Sequence, residues 1–363
     1  MNILTINTGS SSLKASLFTS DGNRQNYHYK HLANTDLRSY SQSLTKLLSE
    51  LGNNKPDVVG HRFVYGGEIN GEVCSSPRSI DEVEYARLED NSHYAPLHMP
   101  FNLLGVDFCK ANFNCPQIAV FDTSFHSTLP EMAYRLPIPN EFKLRRYGYH
   151  GINYAHIAHE LPKLIGAKAN GRIVVAHLGN GASLCLLHNL KSIDTTMGYS
   201  TAGGIPMATR SGDLDPVVML ELAKHLNNAD LTDLVYKKMG LHALSDGESS
   251  DMSELLVSKT ESAKFAVDFF ALQVRAAIGS YAAKAGGIDG LVFTGGIGEN
   301  SSHVRALICS DIAFLGLTLS SKANKVHSAT LHTSASKPML IIPADEEAEI
   351  ARLTAKLYGL TIP

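Results

Sequence analysis

Residues 2–18 read NILTINTGSSSLKASLF, and residues 173–187 read IVVAHLGNGASLCLL. Each stretch is an apolar strand, a turn of small residues and a second apolar strand: Asn2 to Ile6 with Leu13 to Phe18, and Ile173 to His177 with Ser183 to Leu187. Gly9 and Gly179 hold equivalent places 170 residues apart, so the pattern signals a duplicated domain and not a short-period repeat.

Helical periodicity surrounds both stretches, at Leu37 to Leu51, Asn153 to Ile165, Pro216 to Leu226 and Ala263 to Ala285. Strands alternating with such helices predict an α/β architecture. A third strand, Leu291 to Thr294, runs into GGIGEN and then a helix from about Ser301. The short strand Met339 to Ile342 precedes a last helix, Glu346 to Leu357. No low-complexity linker interrupts the chain, so the repeat sets the expected boundary near residue 147: residues 1–147 plus 347–363 form one domain, and 148–346 the other.

The length of 363 residues suits two domains, and 44% hydrophobic with 18% charged residues is a globular composition, not a disordered one. Basic and acidic residues nearly cancel, 32 against 35, which removes the electrostatic footprint of a nucleic-acid binder; Lys143, Arg145 and Arg146 are too small a cluster to hold a duplex. The first residues lack a positive segment and break their apolar run at Asn7, and no later run reaches the roughly 18 apolar residues of a membrane span. Five scattered cysteines without CxxC spacing, and 16 histidines without an HExxH pair, predict a reducing cytoplasm and no structural zinc.

Glycine lets a backbone approach phosphate closely, and amides exposed at such turns bind anions without net positive charge. One glycine turn between strands is ordinarily a hairpin, whereas three such loops after three strands suggest a polyphosphate ligand. Neither GxxxxGK[ST] nor GxGxxG after the first strand is present, so the phosphate site belongs to another architecture.

Eight blocks in order carry a resemblance: NTGSSSLK (Asn7 to Lys14), GHRFVYGGE (Gly60 to Glu68), VFDTSFH (Val120 to His126), RRYGYHG (Arg145 to Gly151), HLGNGAS (His177 to Ser183), TRSGDLDP (Thr209 to Pro216), FTGGIGEN (Phe293 to Asn300) and PADEE (Pro343 to Glu347). Together they resemble the acetate kinase family over nearly the whole chain. The resemblance implies two duplicated ribonuclease-H-like domains of the actin-like ATPase type, with mixed sheets flanked by helices, closing on ATP. It also implies reversible transfer of the γ-phosphoryl group of ATP to acetate or propionate, Mg²⁺ as cofactor, a cytoplasmic location and a homodimer, with no nucleic acid or membrane partner. Butyrate or branched-chain acyl kinases are the nearest alternative, and phosphatases or ATP-switched interaction proteins of the same superfamily are more distant ones.

A carboxylate is already a nucleophile at pH 7, so this chemistry asks for positioning and charge stabilisation and not for a general base. By resemblance, Arg62 would hold the substrate carboxylate against an apolar wall of Val64 and Leu97. His150 and Arg210 would stabilise the migrating phosphoryl group, and Asp122 would orient an arginine or influence the metal. Asn7 and Glu346 match the metal positions. Lys14, His177, Leu178, Gly179, Asn180 and Gly181 match phosphate-side nucleotide contacts. Gly296, Ile297, Gly298, Glu299 and Asn300 match the adenosine-side loop, with Asp251, Met252 and Ser253 as a third nucleotide motif. Ser253 stands where the family usually has Arg, Tyr65 where it has His, Tyr149 where it has Phe, Met99 where it has Asn and Thr201 where it has Pro.

Overall fold

The structure is a computed structural model that describes residues 1–9, 12–30, 37–95 and 98–360. The chain divides into two compact units: Met1–Ser127, Tyr149–His156 and Asp345–Pro363 form unit 1, and Thr128–Gly148 with Ile157–Ala344 form unit 2.

Unit 1 is built on β1 (Ile3–Thr8), β2 (Ser12–Phe18), β3 (Arg24–Lys30) and β4 (Val58–Phe63), followed by a small hairpin of β5 (Glu68–Ile69) and β6 (Glu72–Val73), then β7 (Arg78–Ser79) and β8 (Gln117–Phe121). Its sheet has the order β3-β2-β1-β4-β8-β7. The first three strands form an antiparallel meander, β4 runs parallel to β1, and β8 runs parallel to β4. Alternation along the strands sends Leu4, Ile6 and Val59 to one face, under Leu44, Leu47 and Leu51 of the helix Leu37–Leu51. Ile3, Val58, Ile118 and Val120 go to the other face, under Ile350, Ala351 and Ala355 of the helix Glu346–Leu357.

Unit 2 repeats this plan with β9 (Ile173–Leu178), β10 (Ala182–His188), β11 (Lys191–Thr195), β12 (Gly290–Thr294) and β13 (Met339–Ile341), in the order β11-β10-β9-β12-β13. Again the first three strands are antiparallel and the next two parallel. The same five-strand order with the same directions, once per unit, is the duplication read from Gly9 and Gly179, and it is the ribonuclease-H-like arrangement. The longest helix of unit 2, Glu261–Ala285, starts two residues earlier than its periodicity indicates because Thr260 caps it, accepting from the Ala263 amide.

Three expectations change. GGIGEN is not a loop before a helix: Gly295–Asn300 is itself helical, and Ser301 caps a second helix, Ser302–Cys309. The helix expected over Pro216 to Leu226 ends at Leu222, where the next amides tighten to three-residue hydrogen bonds (Lys224 to Glu221, His225 to Leu222) before Asn227 caps the following helix. Residues 128–147, placed before the expected boundary, fall in unit 2, whereas residues 149–156 and 345–346, placed after it, fall in unit 1. Arg146 donates to the Thr195 and Thr196 carbonyls at 2.8 and 2.9 Å, and the Tyr147 amide donates to Gly198. No described helix is long and apolar enough to cross a membrane.

Candidate active site

In unit 1 the parallel strands β1, β4 and β8 lie side by side, and their carboxyl ends carry Asn7, Arg62 and Asp122. Ligands in open α/β sheets bind outside such ends. Asp122 is buried and its Oδ2 accepts from Arg62 Nε at 3.2 Å and Nη2 at 2.7 Å. Arg62 Nη1 donates to Asn7 Oδ1 at 3.0 Å, and Asn7 Nδ2 donates to Glu346 Oε2 and to Glu347 Oε1, both at 2.8 Å. Arg62 Nη1 also lies 3.9 Å from Glu346 Oε2. Five residues spread over 340 positions thus form one network, and three of the five guanidinium N–H groups are used in it. Two remain, the number a bidentate carboxylate needs.

Charge in this cluster is tightly coupled. Burial pulls the Arg62 guanidinium down, but Asp122, Glu346 and Glu347 outweigh that and hold it above its ordinary value. Burial pushes the Asp122 carboxyl up, with Arg62 opposing and Glu346 adding. Burial also raises Glu347, against the pull of Lys14, which stands opposite Asn7 on β2. Glu347 was not among the sequence candidates, although the doubled carboxylate of PADEE was its signal.

His150 precedes the helix Gly151–Ile165 and accepts from the Tyr154 amide through its carbonyl at 3.0 Å. Its φ of 58° is left-handed, rare for a residue with a side chain and of the kind that collects at functional sites. The next residue must be glycine: a Cβ on Gly151 would lie 1.9 Å from the Asp122 carbonyl oxygen, so this turn sits directly on the end of β8. His126 fixes its other side, with Nε2 3.0 Å from the Tyr149 carbonyl oxygen. Val64 is buried, as are Tyr65 and Tyr149; Leu97 lies outside the described residues.

In unit 2, β9 and β10 are joined by Gly179, Asn180 and Gly181, with the Gly179 amide donating to the Gly181 carbonyl at 3.1 Å. The Asn180 carbonyl accepts from the Ala208 amide at 3.3 Å and from Arg210 Nη2 at 3.5 Å, and Arg210 Nη1 donates to the Thr201 carbonyl at 2.7 Å. No carboxylate among the described residues pairs with Arg210, and burial, opposed by Tyr236, draws its pKa down to about 10, still protonated at neutral pH. An unneutralised cation beside a glycine turn is arranged for an anion. Its main chain is fixed by Thr209, whose Oγ1 donates to the Tyr236 carbonyl at 2.8 Å, and by the Leu241 amide on the Met207 carbonyl at 2.9 Å.

The other nucleotide candidates divide. His177, the last residue but one of β9, pairs with Thr294 of β12, next to the Gly295–Asn300 helix. Leu178 and Met252 are core side chains, which leaves them only backbone contacts to offer. Glu299 Oε1 is held by the Gly295 and Ala344 amides at 2.8 and 2.9 Å, and Asn300 Nδ2 returns to the Gly296 carbonyl at 2.9 Å. Ser253 Oγ donates to Asp251 Oδ1 at 2.6 Å within a helix cap. Arg305, absent from the sequence candidates, is fully buried and donates to the Gly298 and Glu299 carbonyls, both at 2.8 Å, capping the glycine-rich helix from outside.

Glu346, Glu347 and Asn7 offer hard oxygen donors, the kind Mg²⁺ takes in small number alongside phosphate and water. Asn7 turns its amide nitrogen to the carboxylates and its oxygen to Arg62, so the carboxylate of Glu346 suits a metal better than Asn7 does. No cluster of three or more His, Cys, Asp or Glu residues among the described ones is arranged as a metal cage.

A sheet that occurs twice in one chain, with glycine turns after its strands, is the architecture of the duplicated actin-like ATPase class. The acetokinase family matches residues 24–352, and the chain belongs to that family. It is 44% identical to the acetate kinase of Nitrobacter hamburgensis over 83% of this chain and 75% of that one. It is 36% identical to the acetate kinase of Agathobacter rectalis over 99% of this chain and all of that one. Among solved structures, a propionate kinase from Francisella tularensis has a TM-score of 0.86 at 30% identity, covering 97% of this chain and 98% of that one. The Porphyromonas gingivalis acetate kinase has 0.82 at 31%, covering 98% and 99%.

Proposed function

We propose that this chain transfers the γ-phosphoryl group of ATP to acetate, with propionate as a second acceptor, forming an acyl phosphate and ADP reversibly by in-line displacement. The observation that carries the choice of acceptor is Arg62: Asp122 and Asn7 hold it in place and leave two donors for a carboxylate next to buried Val64. The acid attacks as the carboxylate it already is, so Asp122 orients Arg62 and moves no proton. Arg210 and His150 stabilise the equatorial oxygens as charge spreads over the migrating group.

Backbone amides of His177 to Gly181 and of Gly296 to Asn300 serve the nucleotide, with Lys14 and the Asp251 to Ser253 cap as further contacts. Glu346 would hold Mg²⁺, oriented by Asn7, and the ion would supply charge neutralisation at the phosphates. We place the enzyme in the cytoplasm as a homodimer, which light scattering on the purified chain tests.

Trapping acyl hydroxamate from ATP, hydroxylamine and an acid tests the function itself. Product with acetate or propionate, falling steeply at four carbons, is the expected outcome. A preference for butyrate would make the chain a longer-acyl kinase, and no product with any short acid would reject the assignment.

A further inference from the structure

The four residues that follow Arg62 are tied down more tightly than a connecting segment requires. The Val64 amide donates to Asn102 Oδ1 at 3.3 Å, and Asn102 Nδ2 reaches back to the Thr8 carbonyl beside Asn7, also at 3.3 Å. The Gly66 amide donates to Thr123 Oγ1 at 3.0 Å, and the Gly66 carbonyl accepts from Arg87 Nη1 at 2.6 Å. Between them Tyr65 is buried with its ring stacked on Tyr94, centroids 4.4 Å apart. Gly66 is pressed onto the segment that carries Asp122: a Cβ there would lie 2.8 Å from Phe121 Cγ and 3.1 Å from Thr123 Oγ1.

Arg87 has no freedom to spare. Its Nε and Nη2 donate to the two oxygens of Glu84, at 3.0 and 2.5 Å, while the guanidinium lies 5.8 Å from the Phe121 ring centroid. Glu84 is only 3% exposed and takes a further bond from Arg78 Nε at 2.7 Å. A buried carboxylate with two arginines is an anchor, and the one N–H it directs inward ends on Gly66. Val64 is the first residue after β4, two positions from Arg62, and is buried, so the height at which Gly66 is held bears on where the Val64 side chain stands relative to the Arg62 guanidinium.

We propose that Arg87 is a positioning residue for the acid: through the Gly66 carbonyl it sets the depth of the acyl pocket and hence the chain length accepted. This rests on the reading of Arg62 and Val64 as acid-binding residues. Displacement of a positioning segment by about an ångström is enough to cost orders of magnitude in rate, so a partial release should be visible in kinetics.

The test is hydroxamate formation with acetate, propionate and butyrate by wild type, Arg87→Ala, Arg87→Lys, Thr123→Val and Val64→Ala. Arg87→Ala should raise KM for acetate about tenfold and narrow the kcat/KM ratio of acetate to butyrate by a similar factor, with KM for ATP within about twofold. Arg87→Lys should restore part of the ratio, and Thr123→Val, which frees the same glycine from its other side, should shift it in the same direction. The ratio between acids on one preparation does not depend on how much of that preparation is folded, so a purely structural role would leave it unmoved. An unchanged ratio in Arg87→Ala and Thr123→Val, with Val64→Ala changing it, overturns the role of Arg87 alone. An unchanged ratio in Val64→Ala as well overturns the pocket reading beneath it.

Discussion

Replacing Gly151 by alanine perturbs the unit 1 site through a single methyl group. The Cβ would stand 1.9 Å from the Asp122 carbonyl oxygen and 3.0 Å from Phe125 Cβ, whereas ordinary contact begins at 3.4 Å. The two backbones must therefore part by about 1.5 Å (3.4 − 1.9), and both carry site residues, His150 on one and Asp122 on the other. Gly151 has no left-handed backbone conformation to lose, so the cost is steric. Misplacement by about 1 Å costs on the order of 10²-fold, which predicts a kcat at least about a hundredfold lower, or roughly 2.7 kcal/mol of transition-state stabilisation. Hydroxamate rates at saturating ATP and acetate measure it, alongside thermal melts and binding of ADP. If the effect runs through His150, the double variant with His150→Ala should be no slower than the worse single variant, since the two changes remove one interaction. A Gly151→Ala enzyme within about threefold of wild-type kcat, a barrier change below roughly 1 kcal/mol, would refute the reasoning.

His150→Gly relieves the left-handed backbone of His150 and should raise Tm by about 2 °C while slowing transfer roughly a hundredfold; calorimetry and rates check both, and His150→Ala should show the second effect without the first. Arg210→Lys cannot span the Thr201 and Asn180 carbonyls with a planar fork and should slow transfer by about 10²-fold or more, with KM for acetate little changed; a near-native rate would remove Arg210 from the chemistry. Glu347 is held above the ordinary carboxyl range by burial, so its contribution to stability is fully present below the unfolded pKa of about 4.3 and is lost as pH rises through the folded value. Glu347→Gln should therefore be more stable than wild type near neutrality, with the gap closing on acidification; denaturant melts across the range decide it, and a gap independent of pH would count against the buried carboxyl as its source.

Elements with one apolar stripe or one clean alternation were legible in the sequence. The helix Leu37–Leu51 has both ends where its periodicity puts them because Tyr40, Leu44, Leu47 and Leu51 share one buried face. Strand β3, RQNYHYK, was not legible: it is a largely exposed edge strand with no buried face to leave an apolar pattern. The helix Met99–Asn112 was missed for the opposite reason, since Phe101, Leu103, Val106 and Cys109 are buried around most of its circumference and no stripe emerges. The glycine-rich GGIGEN reads locally as a turn; it is helical because Arg305 takes its last carbonyls and Glu299 its first amide, and neither contact has a local signature. For the site, ordered motifs marked Asn7, Arg62, Asp122 and Glu346, which the sheet brings into one hydrogen-bonded network. The residues that hold them, Arg87, Asn102 and Glu347, lie on neighbouring elements whose docking the sequence does not display.

One sheet made twice carries different chemistry at corresponding strand ends, and the charge of each substrate explains the difference. The ends of β1, β4 and β8 carry an amide, a guanidinium and a carboxylate; those of β9 and β12 carry His177 and Thr294, followed by glycines. A polyphosphate brings several charges and many oxygens, so turns of backbone amides suffice to seat it and side-chain cations are needed only where charge develops. On the proposed reading, Arg210, which no carboxylate among the described residues pairs with, would meet that need. A short monocarboxylate brings one charge and little surface, and a turn of amides would hold it too loosely to aim its oxygen. It needs a planar cation whose own freedom has been removed, and on the proposed reading this would account for Arg62 being spanned by Asp122 and Asn7, although each bond it makes to them is a donor withheld from the acid. Orientation is the scarcer quantity at that end of the reaction, because the nucleophile needs no activation.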